Sequence, residues 1–173
     1  MTALLPDNPV PALSLPLVGG GTFDLTESDA ENFTLLVFYR GLHCPICKMQ
    51  LNDLQDHLGK LQERGVRTVA VSMDSEERAE QSKDDWGLGK LDMAYGMDEA
   101  TARSFGLYIS TAISDTEPDT FSEPGLMLVR PDGNLYMASV QSIPFTRPPL
   151  DQLLTGIDYA LNKDYPARGT KPA

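Results

Sequence analysis

Residues 33–47 read FTLLVFYRGLHCPIC, and this stretch indicates the fold. Its first part, 33–39, is a nearly continuous run of apolar, aromatic and branched residues, which is typical of a central strand covered on both faces. Pro45 then suits the first turn of a helix, where its missing N–H costs no hydrogen bond. The stretch therefore predicts a buried strand that leads through a short loop into a helix.

The predicted helix covers about 45–64. Its apolar residues recur with spacings of 4, 3, 4 and 3, which places them on one helix face. They are Cys47, Leu51, Leu54, Leu58 and Leu61. Gly65 follows at the C-terminal cap position, where a left-handed backbone favours glycine. The helix is thus expected to bury one stripe of side chains against a sheet.

Further strands and helices alternate along the chain. We predict an N-terminal hairpin from 10–17 and 22–25, strands at 66–73 and 91–95, a second hairpin from 126–129 and 135–140, and helices at 76–86, 98–105 and 149–163. Strands that alternate with helices pair in parallel through right-handed crossovers, and the late hairpin adds antiparallel strands. The expected fold class is α/β, with a central mixed sheet flanked by helices and an N-terminal β-hairpin.

Two segments lack a regular pattern. Residues 108–123 show no clean period, and a segment of that length without structure is typically functional or mobile. The tail 166–173 is predicted to be loose, as chain ends are unless they are tied down. No composition break divides the chain, so we expect a single domain over 1–173.

The charge balance excludes several classes of partner. The chain has 14 Lys and Arg residues against 25 Asp and Glu residues, a formal net charge of −11. Such a surface repels nucleic acid phosphates and anionic lipids, so neither is an expected partner. The N-terminal sequence does not resemble a secretory signal, and no apolar run approaches the roughly 20 residues of a membrane helix. We therefore expect a cytoplasmic protein.

The only two cysteines, Cys44 and Cys47, stand at the junction of the predicted strand and helix. Unpaired N–H groups and the helix dipole stabilise a thiolate at a helix N-terminus. Arg40 and His43 lie within four residues of Cys44 and can add positive potential. At this spacing the second sulfur can attack an adduct formed on the first. The pair therefore indicates a thioredoxin-like redox site.

Other interpretations of the cysteine pair stay open but have less support. A zinc site needs about four ligands, and beyond the cysteines only His43 and His57 are of the usual type. An iron–sulfur cluster lacks ligands in one chain. An inert buried pair is an alternative, although the basic neighbours favour reactivity. We expect no metal and no organic cofactor.

The segment 38–47, FYRGLHCPIC, resembles the active-site loop of peroxiredoxin-like proteins of the alkyl hydroperoxide reductase / thiol-specific antioxidant (AhpC/TSA) family. The order of the other elements is similar as well. It includes SMD at 72–74 after a strand and PDG at 131–133 in a turn. The resemblance implies a thioredoxin-like fold and a thiol-based oxidoreductase.

The resemblance gives two rules for the first nucleophile. The peroxiredoxin loop Pro-x-x-x-Thr-x-x-Cys places the peroxide-attacking sulfur at Cys47, with Cys44 in the position of the Thr. In thioredoxins the first cysteine is the exposed nucleophile, which here is Cys44. We favour Cys44, because it comes first on the helix and is expected to be exposed, while Cys47 begins the apolar stripe.

Peroxiredoxins also place an arginine beside the reactive sulfur. The familiar arginine before the late strand is missing, because residues 122–125 read SEPG. Arg40 is our candidate for the missing charge, and His43 is a candidate for tuning the thiolate. Arg147 is a weaker candidate, because a surface turn explains it equally well.

Two prolines are expected to shape the site. Pro45 starts the helix, and Pro124 resembles the cis-proline that faces the cysteine pair in thioredoxins.

We predict a thiol redox enzyme that reduces peroxides through a Cys44/Cys47 dithiol–disulfide cycle. An external dithiol reductant, thioredoxin-, glutaredoxin- or glutathione-like, restores the enzyme, and a homodimer is compatible with this chemistry. Two alternatives stay open. One is a thiol–disulfide oxidoreductase of thioredoxin type with little peroxidase activity, and the other is a redox-sensing or binding domain without turnover.

Overall fold

A computed structural model describes residues 4–172. Its strands are β1 (Ser14–Pro16), β2 (Thr22–Asp24), β3 (Phe33–Phe38), β4 (Val66–Val71), β5 (Asp92–Ala94), β6 (Ile109–Thr111), β7 (Thr120–Ser122), β8 (Gly125–Val129) and β9 (Leu135–Val140). Its helices are α1 (Pro45–Gln62), α2 (Glu76–Asp85), α3 (Glu99–Ser104) and α4 (Leu150–Lys163).

A five-stranded mixed sheet in the order β5-β4-β3-β8-β9 forms the centre of the fold. β3 pairs in parallel with β4, and β4 pairs in parallel with β5. β8 pairs antiparallel with β3 on one side and with β9 on the other. The predicted α/β class with a central mixed sheet is therefore confirmed, as is the N-terminal hairpin, in which β1 pairs antiparallel with β2.

Strand β3 is the middle of the sheet, and all of its residues are buried. Side chains alternate between the two faces of a strand. Leu35 and Val37 therefore belong to the core under α1 and α4, while Leu36 and Phe38 belong to the core on the opposite face, with α3 and the N-terminal hairpin. Because both faces of the sheet are covered, β3 is held in place, and its end fixes the position of the cysteine loop.

Helix α1 buries the stripe that its spacing predicts. Cys47, Leu51, Leu54 and Leu61 are buried, and each leucine contributes about 1.5–3 kcal/mol when it leaves water. Gly65 follows the helix with φ of +67°. A Cβ there would lie 2.7 Å from the side-chain nitrogen of Asn32, so the turn into β4 requires glycine.

The segment 108–123 differs from our expectation of an irregular stretch. It contains β6 and β7, which pair antiparallel with Ile109 opposite Ser122. Strands of three residues are too short to show a period of two in the sequence. Between them, the Glu117 carboxylate accepts the N–H of Ile113 at 2.8 Å, and this bond closes the turn.

The C-terminal tail follows α4. Ala167 is buried, and the Tyr136 hydroxyl donates to the carbonyl of Tyr165 at 2.9 Å. The looseness of 166–173 and the single-domain assignment stay predictions. Within residues 4–172, no helix is both long and apolar enough to cross a membrane.

Candidate thiol site

Both cysteines are free thiols at the start of α1. Cys44 is the N-cap residue, and its sulfur accepts the backbone N–H of Cys47 at 3.2 Å. We expected Cys44 to be exposed, and this is wrong: Cys44 is 1% exposed and Cys47 0%. The physical reason is a side chain that reaches over the two sulfurs from a distant loop.

That side chain is Arg147, in the segment 141–149 between β9 and α4. Its Nη2 lies 3.2 Å from the sulfur of Cys47 and 3.9 Å from the sulfur of Cys44. Its Nε donates to the side-chain oxygen of Gln50 at 2.9 Å, and its Nη1 donates to two carbonyls of its own loop. The weaker sequence candidate is therefore the guanidinium that contacts both thiols.

The pKa values of the two thiols are shifted in opposite directions. A hydrogen bond from the Cys47 side chain lowers the pKa of Cys44 to about 6 against the effect of burial, with further lowering from the Cys47 N–H, Arg147 and Arg40. Burial raises the pKa of Cys47, and the hydrogen bond to Cys44 raises it further. At neutral pH the arrangement holds a Cys44 thiolate against a Cys47 thiol.

Arg40, our first candidate for the positive charge, points toward two glutamates. Its Nε lies 3.2 Å from the Glu123 carboxylate and its Nη2 lies 3.8 Å from that of Glu117. The guanidinium also lies over the ring of Phe121, 4.8 Å from its centroid. Arg40 lowers the pKa of Cys44 by its charge, but less than Arg147 does. Its role in catalysis stays a prediction.

His43 packs against the same phenylalanine. Its ring meets Phe121 edge to face, with centroids 4.6 Å apart. Both ring nitrogens are buried and have no hydrogen-bond partner among the described residues. Burial, and then the charge of Arg40, lower the pKa of His43, so the ring is neutral at neutral pH. It therefore supplies no positive charge to the thiolate, and its tuning role stays a prediction.

The two prolines have different outcomes. Pro45 occupies the first turn of α1, as predicted. Pro124 departs from the thioredoxin cis-proline that it resembles in sequence, because no cis peptide bond occurs in residues 4–172. The trans chain stays extended there: the Glu123 N–H donates to the Tyr108 carbonyl at 2.8 Å, and the Pro124 carbonyl accepts the Gln141 N–H at 3.0 Å. This link joins β6 to the segment after β9.

In the sequence there is little or no indication that Arg147, Gln50 and Asp74 belong to the site. Arg147 and Gln50 meet across almost a hundred positions, so no local pattern could pair them. Asp74, noted in the sequence only as part of a family motif, lies buried behind the cysteine loop and accepts the Leu42 N–H at 2.8 Å. Within residues 4–172, no group of three or more His, Cys, Asp or Glu side chains could hold a metal ion.

Comparisons with known proteins identify the family of the chain. The chain matches the model of the AhpC/TSA family over residues 6–138, a span that includes both cysteines. No curated protein sequence matches it significantly.

Three solved structures illustrate the likeness of fold. The fold is similar to the reduced 2-Cys peroxiredoxin of Plasmodium vivax, with a TM-score of 0.76 and 18% identity over 91% of this chain and 82% of that chain. It is similar to AhpC of Enterococcus faecalis, with a TM-score of 0.72 and 19% identity over 94% and 97%. It is also similar to peroxidoxin BcpB of Mycobacterium tuberculosis, with a TM-score of 0.71 and 14% identity over 90% and 97%.

Proposed function

The chain belongs to the AhpC/TSA family and is a thiol-based oxidoreductase, and from this premise we propose that Cys44 and Cys47 carry its peroxidase cycle. The observation that supports this assignment most is the guanidinium of Arg147, which lies 3.2 Å from one sulfur and 3.9 Å from the other. A thiolate beside a fixed cation is the nucleophile that peroxide reduction needs.

In the first step, the Cys44 thiolate attacks one oxygen of the peroxide. The S–O bond forms, the O–O bond breaks, and the electron pair leaves on the other oxygen, which takes up a proton to become an alcohol or water. Cys44 becomes a sulfenic acid. Arg147 stabilises the negative charge that moves from sulfur to the leaving oxygen, because a fixed cation in a dry site interacts strongly with developing charge.

In the second step, the Cys47 sulfur attacks the sulfenic sulfur of Cys44. The S–S bond forms, the S–O bond breaks, and the hydroxide leaves as water with the Cys47 proton. An external dithiol, or two molecules of glutathione in succession, then reduces the disulfide through a mixed disulfide. We propose a thioredoxin- or glutaredoxin-like protein, or glutathione, as this reductant, in a cytoplasmic setting and with a homodimer as the candidate assembly.

A second candidate function is thiol–disulfide exchange of thioredoxin type. The complete Cys-x-x-Cys spacing at the start of α1 favours it. The likeness of Pro124 to the thioredoxin cis-proline also favours this second function. The trans peptide bond at Pro124 weakens that argument.

Stopped-flow reaction with hydrogen peroxide and an organic hydroperoxide tests the first function on Cys44→Ser and Cys47→Ser. We expect Cys47→Ser to react rapidly and stop at the sulfenic acid, and Cys44→Ser to lose the rapid phase. If neither variant nor the unmodified protein reacts faster than a free thiol, the peroxidase cycle is wrong. Rapid exchange with a small disulfide in the same proteins would then favour the second function.

A further inference from the structure

A buried carboxylate stands directly behind the cysteine loop. Asp74 follows β4, and its side chain is 0% exposed. Burying a carboxylate costs several kcal/mol unless it is paired and hydrogen-bonded. Both of its oxygens have partners: Oδ2 accepts the Leu42 N–H at 2.8 Å, and Oδ1 accepts from Nε of Arg78 at 2.9 Å.

The first of these bonds acts on the turn that leads to Cys44. Gly41 has φ of +130°, and a Cβ there would lie 2.7 Å from Oδ1 of Asp74. The backbone of the turn at Gly41 is therefore in close contact with the Asp74 carboxylate. The Cys44 N–H in turn donates to the Gly41 carbonyl at 3.0 Å. Asp74 thus holds the two residues whose backbone fixes where Cys44 begins α1.

The bond from Arg78 neutralises the negative charge of the Asp74 carboxylate. A free carboxylate close to the thiols would oppose a thiolate, since like charges disfavour ionisation. Arg78, in the first turn of α2, pairs with Asp74 and also donates to the Thr116 carbonyl at 3.4 Å. The loop is therefore supported by an ion pair rather than by a lone negative charge.

From these contacts we propose that Asp74 is a positioning residue for the thiol reaction: its Arg78-paired carboxylate holds the 41–44 turn so that the Cys44 sulfur receives the Cys47 N–H. The inference rests on the proposed role of Cys44 as the nucleophile. Asp74 touches neither sulfur in the described contacts, so its effect passes through the backbone of Leu42 and Gly41.

The charged and titratable groups that act on Cys44 from the neighbouring segments are Arg147, Arg40 and Cys47. None of them contacts Asp74 in the described contacts. A change at position 74 therefore reports on the turn, on the charge of Asp74 and on the Arg78 guanidinium that loses its partner. The turn and the charges have opposite effects: a loosened turn raises the pKa of Cys44, whereas removing the negative charge and leaving Arg78 unpaired both lower it.

The test measures the pKa of Cys44 from the pH dependence of iodoacetamide alkylation in Asp74→Ala and Asp74→Asn. We expect Asp74→Ala to raise this pKa by about one unit, a tenfold shift in the thiolate equilibrium. Asp74→Asn keeps an oxygen for the Leu42 N–H and is expected to restore most of the unmodified value. A lowered or unchanged pKa in a folded Asp74→Ala protein overturns the proposal.

Gly41→Ala keeps the test decisive if Asp74→Ala does not fold. Its new Cβ displaces the turn while the carboxylate and its charge remain, so we expect a raised pKa of Cys44 here too. An unchanged pKa in Gly41→Ala, or equal pKa values in Asp74→Asn and a folded Asp74→Ala, contradicts positioning. Alkylation involves no peroxide, so the result is independent of whether the peroxidase cycle itself is correct.

Discussion

The acidity of Cys44 arises within a few ångströms of its sulfur. The Cys47 thiol and N–H donate to it, and the guanidinium of Arg147 lies 3.9 Å away. Hydrogen bonds and a cation outweigh burial, which by itself raises the pKa of a thiol. The same guanidinium is closer to Cys47, so a single arginine contacts both the proposed nucleophile and the proposed resolving sulfur.

The rate of reaction with peroxide is expected to follow the Cys44 thiolate. The pKa of Cys44 is lowered to about 6, so the second-order rate constant rises with pH through about 6 and is level from pH 7 to 8. The measurement is stopped-flow kinetics of the first turnover of the unmodified, fully reduced protein between pH 4.5 and 8.5, because Cys47→Ser would remove the thiol that lowers this pKa most. A midpoint at about 8.5, the value of an ordinary thiol, contradicts this account.

Replacing Arg147 by Met is expected to slow the reaction with peroxide by about 100-fold, the usual cost of losing one donor to developing charge. The pKa of Cys44 should rise by about one unit as well, because a cation within hydrogen-bonding range favours the thiolate. Arg103→Met is the matched control, since Arg103 pairs with Glu99 on α3. Equal rates in the two variants would show that Arg147 only covers the sulfurs.

At the scale of elements, the β6–β7 hairpin packs against the cysteine loop through Phe121, which lies between Arg40 and His43. Glu123, directly after β7, also accepts from the Ser110 hydroxyl at 2.7 Å, so its carboxylate joins the hairpin to the loop. The side chains of Arg40 and His43 are thus held by contacts with this hairpin.

Replacing Arg40 by Met is expected to destabilise the protein more than it changes the thiol. Glu123 would keep a buried charge without its partner, which costs about 3 kcal/mol in the free energy of unfolding. Urea unfolding of Arg40→Met, with Arg40→Met/Glu123→Leu as the matched pair, measures this cost; the double variant should recover part of it. Unchanged stability together with a thiol pKa shift as large as that of Arg147→Met would restore Arg40 as the principal cation.

An element could be predicted where residues close together in the sequence determine it, and could not where residues far apart in the sequence determine it. Helix α1 could be predicted because Leu51, Leu54 and their stripe repeat every three or four residues. The hairpin at 108–123 could not, because its strands have three residues each. The position of Arg147 could not either, since contact with Gln50 depends on the path of the whole chain.

At the scale of the whole molecule, three clefts of about 350 to 380 Å³ among the described residues have neither cysteine in their lining. The cleft of about 380 Å³ lies between β9 and α4, next to Pro148 and Pro149. The cleft of about 350 Å³ is lined by Arg67, Lys90 and Asp92. Because Cys44 and Cys47 are 0–1% exposed, we expect only small molecules to reach the pair without movement of the Arg147 loop.

We therefore expect the thiols to discriminate reagents by size. Each native labelling rate is divided by the rate of the same reagent with a free thiol. This ratio should be much larger for iodoacetamide than for a bulky maleimide in the native protein, whereas in urea both ratios should approach one. Arg147→Ala should narrow the native difference between the two ratios, because it removes a side chain that contacts both sulfurs. Mass spectrometry of the labelled protein at fixed times gives both rates. Equal ratios for the two reagents in the native protein would mean that the covered state is not the one in solution.

Cys47, the proposed resolving group, is also part of the core and lies in one cluster with Leu51, Leu54 and Leu150. The proposed disulfide would draw this sulfur toward Cys44, and we expect its apolar neighbours to repack. The energy of that repacking is part of the reduction potential of the pair. Leucine side chains that do not contact a substrate therefore help to set the reduction potential of this dithiol, because their packing around Cys47 differs between the reduced and the disulfide forms.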